Sequence, residues 1–140
     1  MTNRVRDVMT EDLITLSPNT PIRVAAKKMK DSGVGCVLLA TERGELRGLV
    51  TDRDITVRAV ASGLDAEATP ISKICSEELA ILSPDDDVDN AVKLMRKKAI
   101  RRVPVVENGK AVGIVSLGDL AVQRDPTSAL GGISAAQPNR

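Results

Sequence analysis

Aromatic side chains are absent from this chain, because its 140 residues include no Phe, Tyr or Trp. Many proteins that bind single-stranded nucleic acid stack bases on aromatic rings, so this class of protein is not expected. Any base bound here would have to lie between aliphatic side chains. Histidine is also absent, which removes the commonest general base and the commonest transition-metal ligand. We therefore expect no metal site. Because the sequence also shows no paired carboxylates for acid–base chemistry, no P-loop and no Rossmann glycine fingerprint, we expect no catalytic residues and no cofactor.

Charge of one sign is not in excess, since 20 basic and 19 acidic residues leave a net charge of +1. This balance does not favour a protein that coats nucleic acid or an anionic membrane. No stretch approaches the ~20 apolar residues of a membrane span, and the N-terminus lacks the apolar segment of a signal peptide. We expect a soluble, cytoplasmic protein.

Cysteine is scarce, and the two cysteines are far apart in the sequence. Cys36 and Cys75 form no CxxC pair, so neither a metal knuckle nor a thioredoxin-like motif is indicated. Two thiols outside any disulfide are expected, although the sequence leaves a disulfide open.

The chain consists of two copies of one pattern. Leu16-Ser17-Pro18 recurs as Leu82-Ser83-Pro84, and Gly48-Leu49-Val50-Thr51 recurs as Gly113-Ile114-Val115-Ser116. In each copy a short apolar segment is followed by a helical apolar stripe, a Gly-containing hairpin and a second helix, which predicts the order β-α-β-β-α. The expected fold class is therefore α/β, of the mixed α+β kind.

The repeats predict the domain organisation. We expect repeat 1 at residues 1–63, a linker at 64–70, repeat 2 at 71–126 and a flexible C-terminal tail at 127–140. A unit of about 50–60 residues is marginal alone, because it buries too small a fraction of its surface. The two repeats are therefore expected to cover each other's sheets and to fold together.

Two short segments combine a hydroxyl side chain with an aspartate three residues later. Thr51-Asp52-Arg53-Asp54 follows a predicted strand, and Ser116-Leu117-Gly118-Asp119 is its counterpart. The pattern is typical of a helix N-cap, and a duplicated helix duplicates its cap. The alternative is a binding site, in which the aspartate accepts hydrogen bonds from two neighbouring hydroxyls, as on a ribose, and the hydroxyl side chain bonds a phosphate or sugar oxygen.

Two adjacent arginines, Arg101 and Arg102, begin a predicted core strand. Because neighbouring strand residues point to opposite faces, they can serve two pockets, or one pocket and the solvent. The planar guanidinium suits phosphate, with which it makes paired, charge-assisted hydrogen bonds. The alternative is an ordinary pair of surface salt bridges.

Together these segments resemble paired cystathionine β-synthase (CBS) domains, often called Bateman modules. The matching features are Asp7-Val8-Met9-Thr10, "LSPNTPIRVAAKKM", "GLVTDRDI", "IRRVPVVENGKAVGIVS" and "SLGDL". The resemblance implies two repeats packed sheet to sheet with pseudo-twofold symmetry. It also implies a ligand held without chemistry in clefts between the repeats, either AMP, ADP, ATP or S-adenosylmethionine.

The resemblance further implies a role for each matching residue. Asp54 and Asp119 would hold the ribose hydroxyls, while Thr51 and Ser116 would bond nearby ligand oxygens. The base would lie in an aliphatic slot formed by the other repeat. For the Asp119 cleft the slot residues are Leu13, Ile14, Val34 and Gly35, and for the Asp54 cleft they are Leu79, Ala80 and Ile100.

The two implied clefts differ in positive charge. Arg101 and Arg102 would face the phosphates between the clefts. In similar proteins the residue before the motif aspartate reaches the phosphate of the opposite cleft. On this pattern Arg53 would contact the phosphate in the Asp119 cleft, whereas Gly118 has no side chain with which to contact a phosphate in the Asp54 cleft. We therefore expect the Asp119 cleft to bind an anionic ligand more tightly.

The resulting hypothesis is a regulatory module that binds adenine nucleotide and signals to an unknown effector protein through a change in shape or dimer packing. A homodimer formed by helical faces outside the sheets is expected. The alternative is a ligand-free interaction or structural protein that has kept the fold. Nucleic-acid binding through the lysines of the predicted helices is disfavoured, since such runs usually form a solvated helix face.

Overall fold

A three-stranded and a two-stranded β-sheet carry the two repeats in the computed structural model, which describes residues 3–77, 79–124 and 129–136. The predicted mixed α+β class is confirmed. The chain divides into two units. The first-repeat unit is Ile14–Leu79, and the second-repeat unit is Met1–Leu13 together with Ala80–Arg140.

The first-repeat unit places one long helix on its sheet. Strand β1 (Thr15–Leu16) runs parallel to β2 (Cys36–Ala40), which pairs antiparallel with β3 (Leu46–Thr51). Helix α2 (Ile22–Ser32) buries the predicted apolar stripe, and it ends at Gly33, which has a positive φ of 67°. The second predicted helix begins as α3 (Asp52–Asp54) and continues as a π-helix over Ile55–Val60. A 3-10 turn follows at Ile71–Lys73.

The second-repeat unit repeats this order with small differences. Its elements are α1 (Val5–Val8), α4 (Val88–Lys98), β4 (Arg102–Glu107), β5 (Lys110–Ser116), α5 (Leu117–Arg124) and α6 (Ala129–Ala135). The counterpart of β1 is a single parallel bridge between Leu82 and Val105. The predicted Asn108-Gly109 hairpin turn has positive φ at both residues, as two-residue hairpin loops require.

The segment that leads into each repeat packs in the unit of the other repeat. Val5 has no exposed surface, and its N–H donates to the Asp86 carbonyl at 2.8 Å. Ile71, its counterpart, is equally buried, and its N–H donates to the Thr20 carbonyl at 2.8 Å. Each leading segment ends in an antiparallel bridge, which joins Thr10 to Ile114 in one unit and Ser76 to Leu49 in the other. The two repeats have thus exchanged their leading segments.

Because of this exchange, the two compact units do not coincide with the two repeats of the sequence. Residues 64–70, predicted as a linker, belong to the first-repeat unit, since the N–H of Ile22 donates to the Thr69 carbonyl at 3.0 Å. Ile71 and Ile74, assigned to the second repeat, lie in the core of the first-repeat unit. Residues 1–13 lie in the second-repeat unit for the same reason, because Val5 belongs to its core.

The C-terminal region contains a helix where its composition predicted a flexible tail. Helix α6 spans Ala129–Ala135 and contacts α5. The remaining residues of the predicted tail, 127–128 and 137–140, lie outside the described residues, as does Pro126.

Both cysteines are thiols rather than halves of a disulfide, and each is half-buried. Burial, followed by the negative charge of Glu77, raises the pKa of the Cys75 thiol. Among the described residues, none of the helices combines the length and the apolar character needed to cross a membrane.

Candidate functional site

The turn between β3 and α3 is closed by two hydrogen bonds in opposite directions. The Thr51 N–H donates to Asp54 Oδ2 at 2.9 Å, and the Asp54 N–H donates to Thr51 Oγ1 at 3.1 Å. Both residues are half-buried. This is the reciprocal capping box that the sequence predicts, so the capping interpretation is confirmed here.

The turn between β5 and α5 has the same geometry. The Ser116 N–H donates to Asp119 Oδ2 at 2.9 Å, and the Asp119 N–H donates to Ser116 Oγ at 3.1 Å. Each carboxylate uses only Oδ2 in its cap, so Oδ1 is left over for other partners.

The remaining oxygen of each aspartate has a different environment. In the first-repeat unit, Arg58 Nε lies 3.6 Å from Asp54 Oδ1, and the Arg58 guanidinium also donates to the Ile74 carbonyl at 3.0 Å. In the second repeat the counterpart of Arg58 is Gln123. Within the described part of the chain, Asp119 Oδ1 has no hydrogen-bond or ion-pair partner. Sequence reasoning missed Arg58, although an aspartate and an arginine four residues apart on a helix are a recognisable pair.

Each capped turn is hydrogen-bonded to the residue that precedes the first hairpin strand of the same unit. The Asp52 N–H donates to the Gly35 carbonyl at 2.9 Å, and the Leu117 N–H donates to the Arg101 carbonyl at 2.8 Å. Gly35 is therefore beside the Asp54 turn, and Arg101 is beside the Asp119 turn. Three arginines near these turns, Arg53, Arg101 and Arg102, are exposed.

The residues predicted to form the aliphatic base slots are distributed over both units. Ile14, Val34, Gly35 and Leu79 lie in the first-repeat unit, and Leu13, Ala80 and Ile100 lie in the second-repeat unit. Val34 is exposed, and the other six are half-buried. Ile100 also lines a groove next to Leu117. The role of all seven in holding a base stays a prediction.

The charge around the two turns is different. The Asp119 turn contains Leu117 and Gly118, and the strand beside it follows Arg101 and begins with Arg102. The first-repeat turn contains Asp52 and Arg53 in addition to Asp54, and the strand beside it follows Gly35 and begins with Cys36. The second-repeat turn is thus the more positive, which suits an anion.

A carboxylate oxygen beside exposed backbone at the start of a helix can accept hydrogen bonds from hydroxyl groups of a ligand. Arginine near it can neutralise a phosphate. Within residues 3–77, 79–124 and 129–136, no group of three or more Cys, Asp or Glu side chains is placed to hold a metal ion. The arrangement is two copies of one capped turn, each with an aspartate that caps through Oδ2.

Comparison with known proteins identifies the family to which this repeated pattern belongs. The CBS domain model matches residues 5–60 and 71–123. The chain is 44% identical over 120 residues to the CBS domain-containing protein YhcV of Bacillus subtilis, covering 86% of this chain and 84% of that protein. It is 36% identical over 129 residues to the uncharacterized protein YlbB of the same organism, covering 91% of this chain and 86% of YlbB.

Two solved structures have the same fold. The CBS domain pair of protein MJ0100, solved in complex with 5'-methylthioadenosine and S-adenosyl-L-methionine, superimposes with a TM-score of 0.82 at 27% identity, covering 91% of this chain and 100% of that chain. An uncharacterized conserved protein from Pyrococcus horikoshii superimposes with a TM-score of 0.80 at 25% identity, covering 92% of this chain and 98% of that chain. The chain belongs to the CBS domain family and carries two CBS domains.

Proposed function

We propose that this chain is a regulatory module that binds an adenosyl ligand at its two capped turns and catalyses no reaction. The observation that carries the proposal is the Oδ1 atom of Asp119, which has no partner among the described residues and lies in a turn whose geometry is the same in both repeats. A helix cap needs one acceptor oxygen, so the second oxygen is available to the hydroxyls of a ribose. The complex of the MJ0100 pair with two adenosyl compounds supports this class of ligand.

The charges of the two turns support a difference in ligand preference. Arg101 and Arg102 lie in the same unit as Asp119, so the second-repeat turn is the preferred site for AMP, ADP or ATP. In the first-repeat unit the charge of Asp54 is already matched by Arg58 at 3.6 Å. An anionic ligand is therefore expected to be lost more completely when Asp119 is changed than when Asp54 is changed.

Three further parts belong to this proposal. Arg53 contacts the phosphate of the ligand held by Asp119, and the aliphatic residues around Ile14 and Ala80 hold the bases. The module forms a homodimer, and ligand binding signals to an effector protein. The last step requires that the ligand bind two states of the module with different affinity.

The absence of aromatic residues makes a direct test possible. Purified protein with no Trp, Tyr or Phe absorbs little near 260 nm, so a retained adenine compound gives the main absorption band there. Native mass spectrometry of the same sample identifies the compound by its mass. Protein purified without ligand is then titrated by calorimetry with AMP, ADP, ATP, S-adenosylmethionine and 5'-methylthioadenosine.

Three variants locate the site. Asp119→Asn and Asp54→Asn keep a capping side chain but remove the charge. Asp52→Asn is the matched control, because among the described residues the Asp52 carboxylate accepts a hydrogen bond only from the neighbouring Arg53 N–H. We expect Asp119→Asn to weaken AMP binding by at least about tenfold, which corresponds to about 1.4 kcal/mol, and Asp52→Asn to leave it unchanged. Absence of binding by all five compounds would instead support a ligand-free interaction protein. A greater loss from Asp54→Asn would reverse the assignment of the preferred turn.

A further inference from the structure

Arg58 joins two parts of the first-repeat unit. Its Nε atom lies 3.6 Å from Asp54 Oδ1, the carboxylate oxygen that the cap does not use. The same guanidinium donates to the Ile74 carbonyl at 3.0 Å and to the Cys75 carbonyl at 3.5 Å. One side chain thus connects the capped turn to the segment that leads into the second repeat.

Residues 74–77, the exit segment, carry the chain out of the first-repeat unit. Ile74 is buried in the core of that unit. Ser76 then exchanges two backbone hydrogen bonds with Leu49 of β3, at 3.0 and 3.1 Å, and the chain enters the second-repeat unit at Ala80. Amide hydrogens in such bonds exchange with solvent only when the segment opens. The amides of Ser76 and Leu49 therefore report how often the exit segment leaves β3.

The second repeat lacks this connection. Gln123 occupies the position that corresponds to Arg58, and its side chain has no hydrogen-bond partner among the described residues. The helices differ as well, since Arg58 lies in the π-helix Ile55–Val60, whereas α5 is α-helical over Leu117–Arg124. Turns of π-helix are frequent at functional sites. The connection is therefore a property of the first repeat and not a requirement of the CBS fold.

We propose that Arg58 is a positioning residue that couples ligand binding at the Asp54 turn to the exit segment. The inference rests on the proposed function for its ligand, but the link itself lies within the chain. A ribose hydroxyl that donates to Asp54 Oδ1 competes with Arg58 for this oxygen. An arginine held by one partner instead of two keeps more rotamer freedom, so its bond to the Ile74 carbonyl is then made less often.

The coupling acts in both directions. If the ligand loosens the exit segment through Arg58, then Arg58 must weaken the binding of the ligand by the same factor. The Arg58 side chain is half exposed and its ion pair is therefore partly screened by water, so the expected factor is about two- to fivefold. A purely structural role for Arg58 predicts the opposite effect on affinity, because the loss of a structural contact disturbs the turn.

A double-mutant cycle tests the link without any ligand. Hydrogen exchange of the Ser76 amide is followed by NMR in the wild type, Asp54→Asn, Arg58→Gln and the double variant. We expect each single variant to speed the exchange by about two- to fivefold, and the double variant to be no faster than Arg58→Gln alone. Arg43→Gln is the matched control, because it removes an exposed guanidinium from the β2–β3 loop of the same unit. Additive effects of the two substitutions would overturn the link.

The effect on ligand binding is measured in an Asp119→Asn background, which leaves the Asp54 turn as the stronger site. The probe is 5'-methylthioadenosine, which carries no phosphate and so excludes a direct attraction between Arg58 and an anion. We expect Arg58→Gln to tighten binding by about two- to fivefold, and Arg43→Gln to leave it unchanged. Addition of the probe is expected to speed exchange of the Ser76 amide when Arg58 is present and to have no effect in Arg58→Gln.

The outcomes separate this inference from the proposed function. If wild-type protein binds neither 5'-methylthioadenosine nor AMP, the proposed function fails and the coupling to ligand fails with it, while the cycle still decides the link within the chain. If the probe binds but Arg58→Gln binds it equally or more weakly, or if the Ser76 amide does not respond to the probe, the coupling is overturned and the proposed function stands. Circular dichroism of each variant verifies that it is folded.

Discussion

Met9 lies directly over Gly113, so closely that a Cβ atom on Gly113 would be 2.5 Å from the Met9 Sδ atom and 2.9 Å from its Cγ atom. The two residues come from the two separate chain segments of the second-repeat unit, and the neighbouring Thr10 and Ile114 form a backbone bridge. A glycine is needed at residue 113 because the leading segment of the chain passes across the strand at this point. The first-repeat unit has the same crossing, with Cys75 over Gly48.

Gly113→Ala should therefore destabilise the protein. Displacing Met9 from a packed core is expected to lower the free energy of unfolding by about 1–3 kcal/mol, the usual range for overpacking. Urea unfolding followed by circular dichroism measures it. Met9→Ala is the matched background, since removing the methionine side chain removes the clash. If Gly113→Ala costs as much in that background as in the wild type, the contact with Met9 is not the cause.

The C-termini of α2 and α4 allow a second pair of substitutions. Both helices end in a left-handed residue, which is Gly33 with φ of 67° in the first repeat and Ala99 with φ of 54° in the second. A Cβ atom is unfavourable in this conformation, so Ala99→Gly is expected to raise the free energy of unfolding by about 0.5–1 kcal/mol and Gly33→Ala to lower it by a similar amount. Thermal unfolding measures both changes. Effects of the same sign in the two variants would contradict the explanation.

The exchange of leading segments predicts which part of the chain folds in isolation. A fragment of residues 14–79 contains the whole first-repeat core, including Ile71 and Ile74, whereas a fragment of residues 1–63 lacks both isoleucines and carries Val5 without its partners. We expect the fragment 14–79 to show more helical circular dichroism and a more cooperative urea transition than 1–63. The two fragments are similar in length, so chain length does not explain a difference. Equal folding of both fragments would argue against the exchange.

The thiol of Cys75 should respond to pH in a defined direction. Burial and the charge of Glu77 raise its pKa in the folded protein, so alkylation by iodoacetamide is expected to need a higher pH in the folded chain than in urea. By linkage, this thiol stabilises the fold below the pKa of the unfolded thiol, and the contribution is lost as the pH rises through the folded pKa. A Cys36→Ser background isolates the signal, which mass spectrometry measures. Alkylation of Cys75 in the folded chain at the same pH as in urea, or at a lower pH, would contradict the prediction.

Local features of this fold are readable from the sequence, because they depend on residues that are close along the chain. The Asn108-Gly109 turn, the stripe on α2 and the Thr51–Asp54 cap all follow from spacing and residue type, and the structure has each of them. Arg58 could have been found in the same way from its position four residues after Asp54. The binding role of the caps stays a prediction, since it depends on a ligand rather than on the chain.

The partners of distant segments are not readable in this way. Val5 and Ile71 occupy equivalent positions in the two copies, and each is followed by a similar sequence. An apolar pattern predicts that such a residue is buried. It does not predict which of two similar cores the residue joins, because both cores present the same kind of apolar surface. The structure places Val5 in the core that is farther along the chain, beside Asp86.

The exchanged segments also set an order of events during synthesis. All residues of the first-repeat core lie before Ala80, so this core can close while the second repeat is still being made. Val5 is made before every other residue of its core, so it has no core to join until β5 has been added. At roughly 5–20 residues per second, that interval is on the order of 5–20 s. For this period the apolar segment around Val5 is exposed on the nascent chain, where a chaperone or a competing strand can bind it.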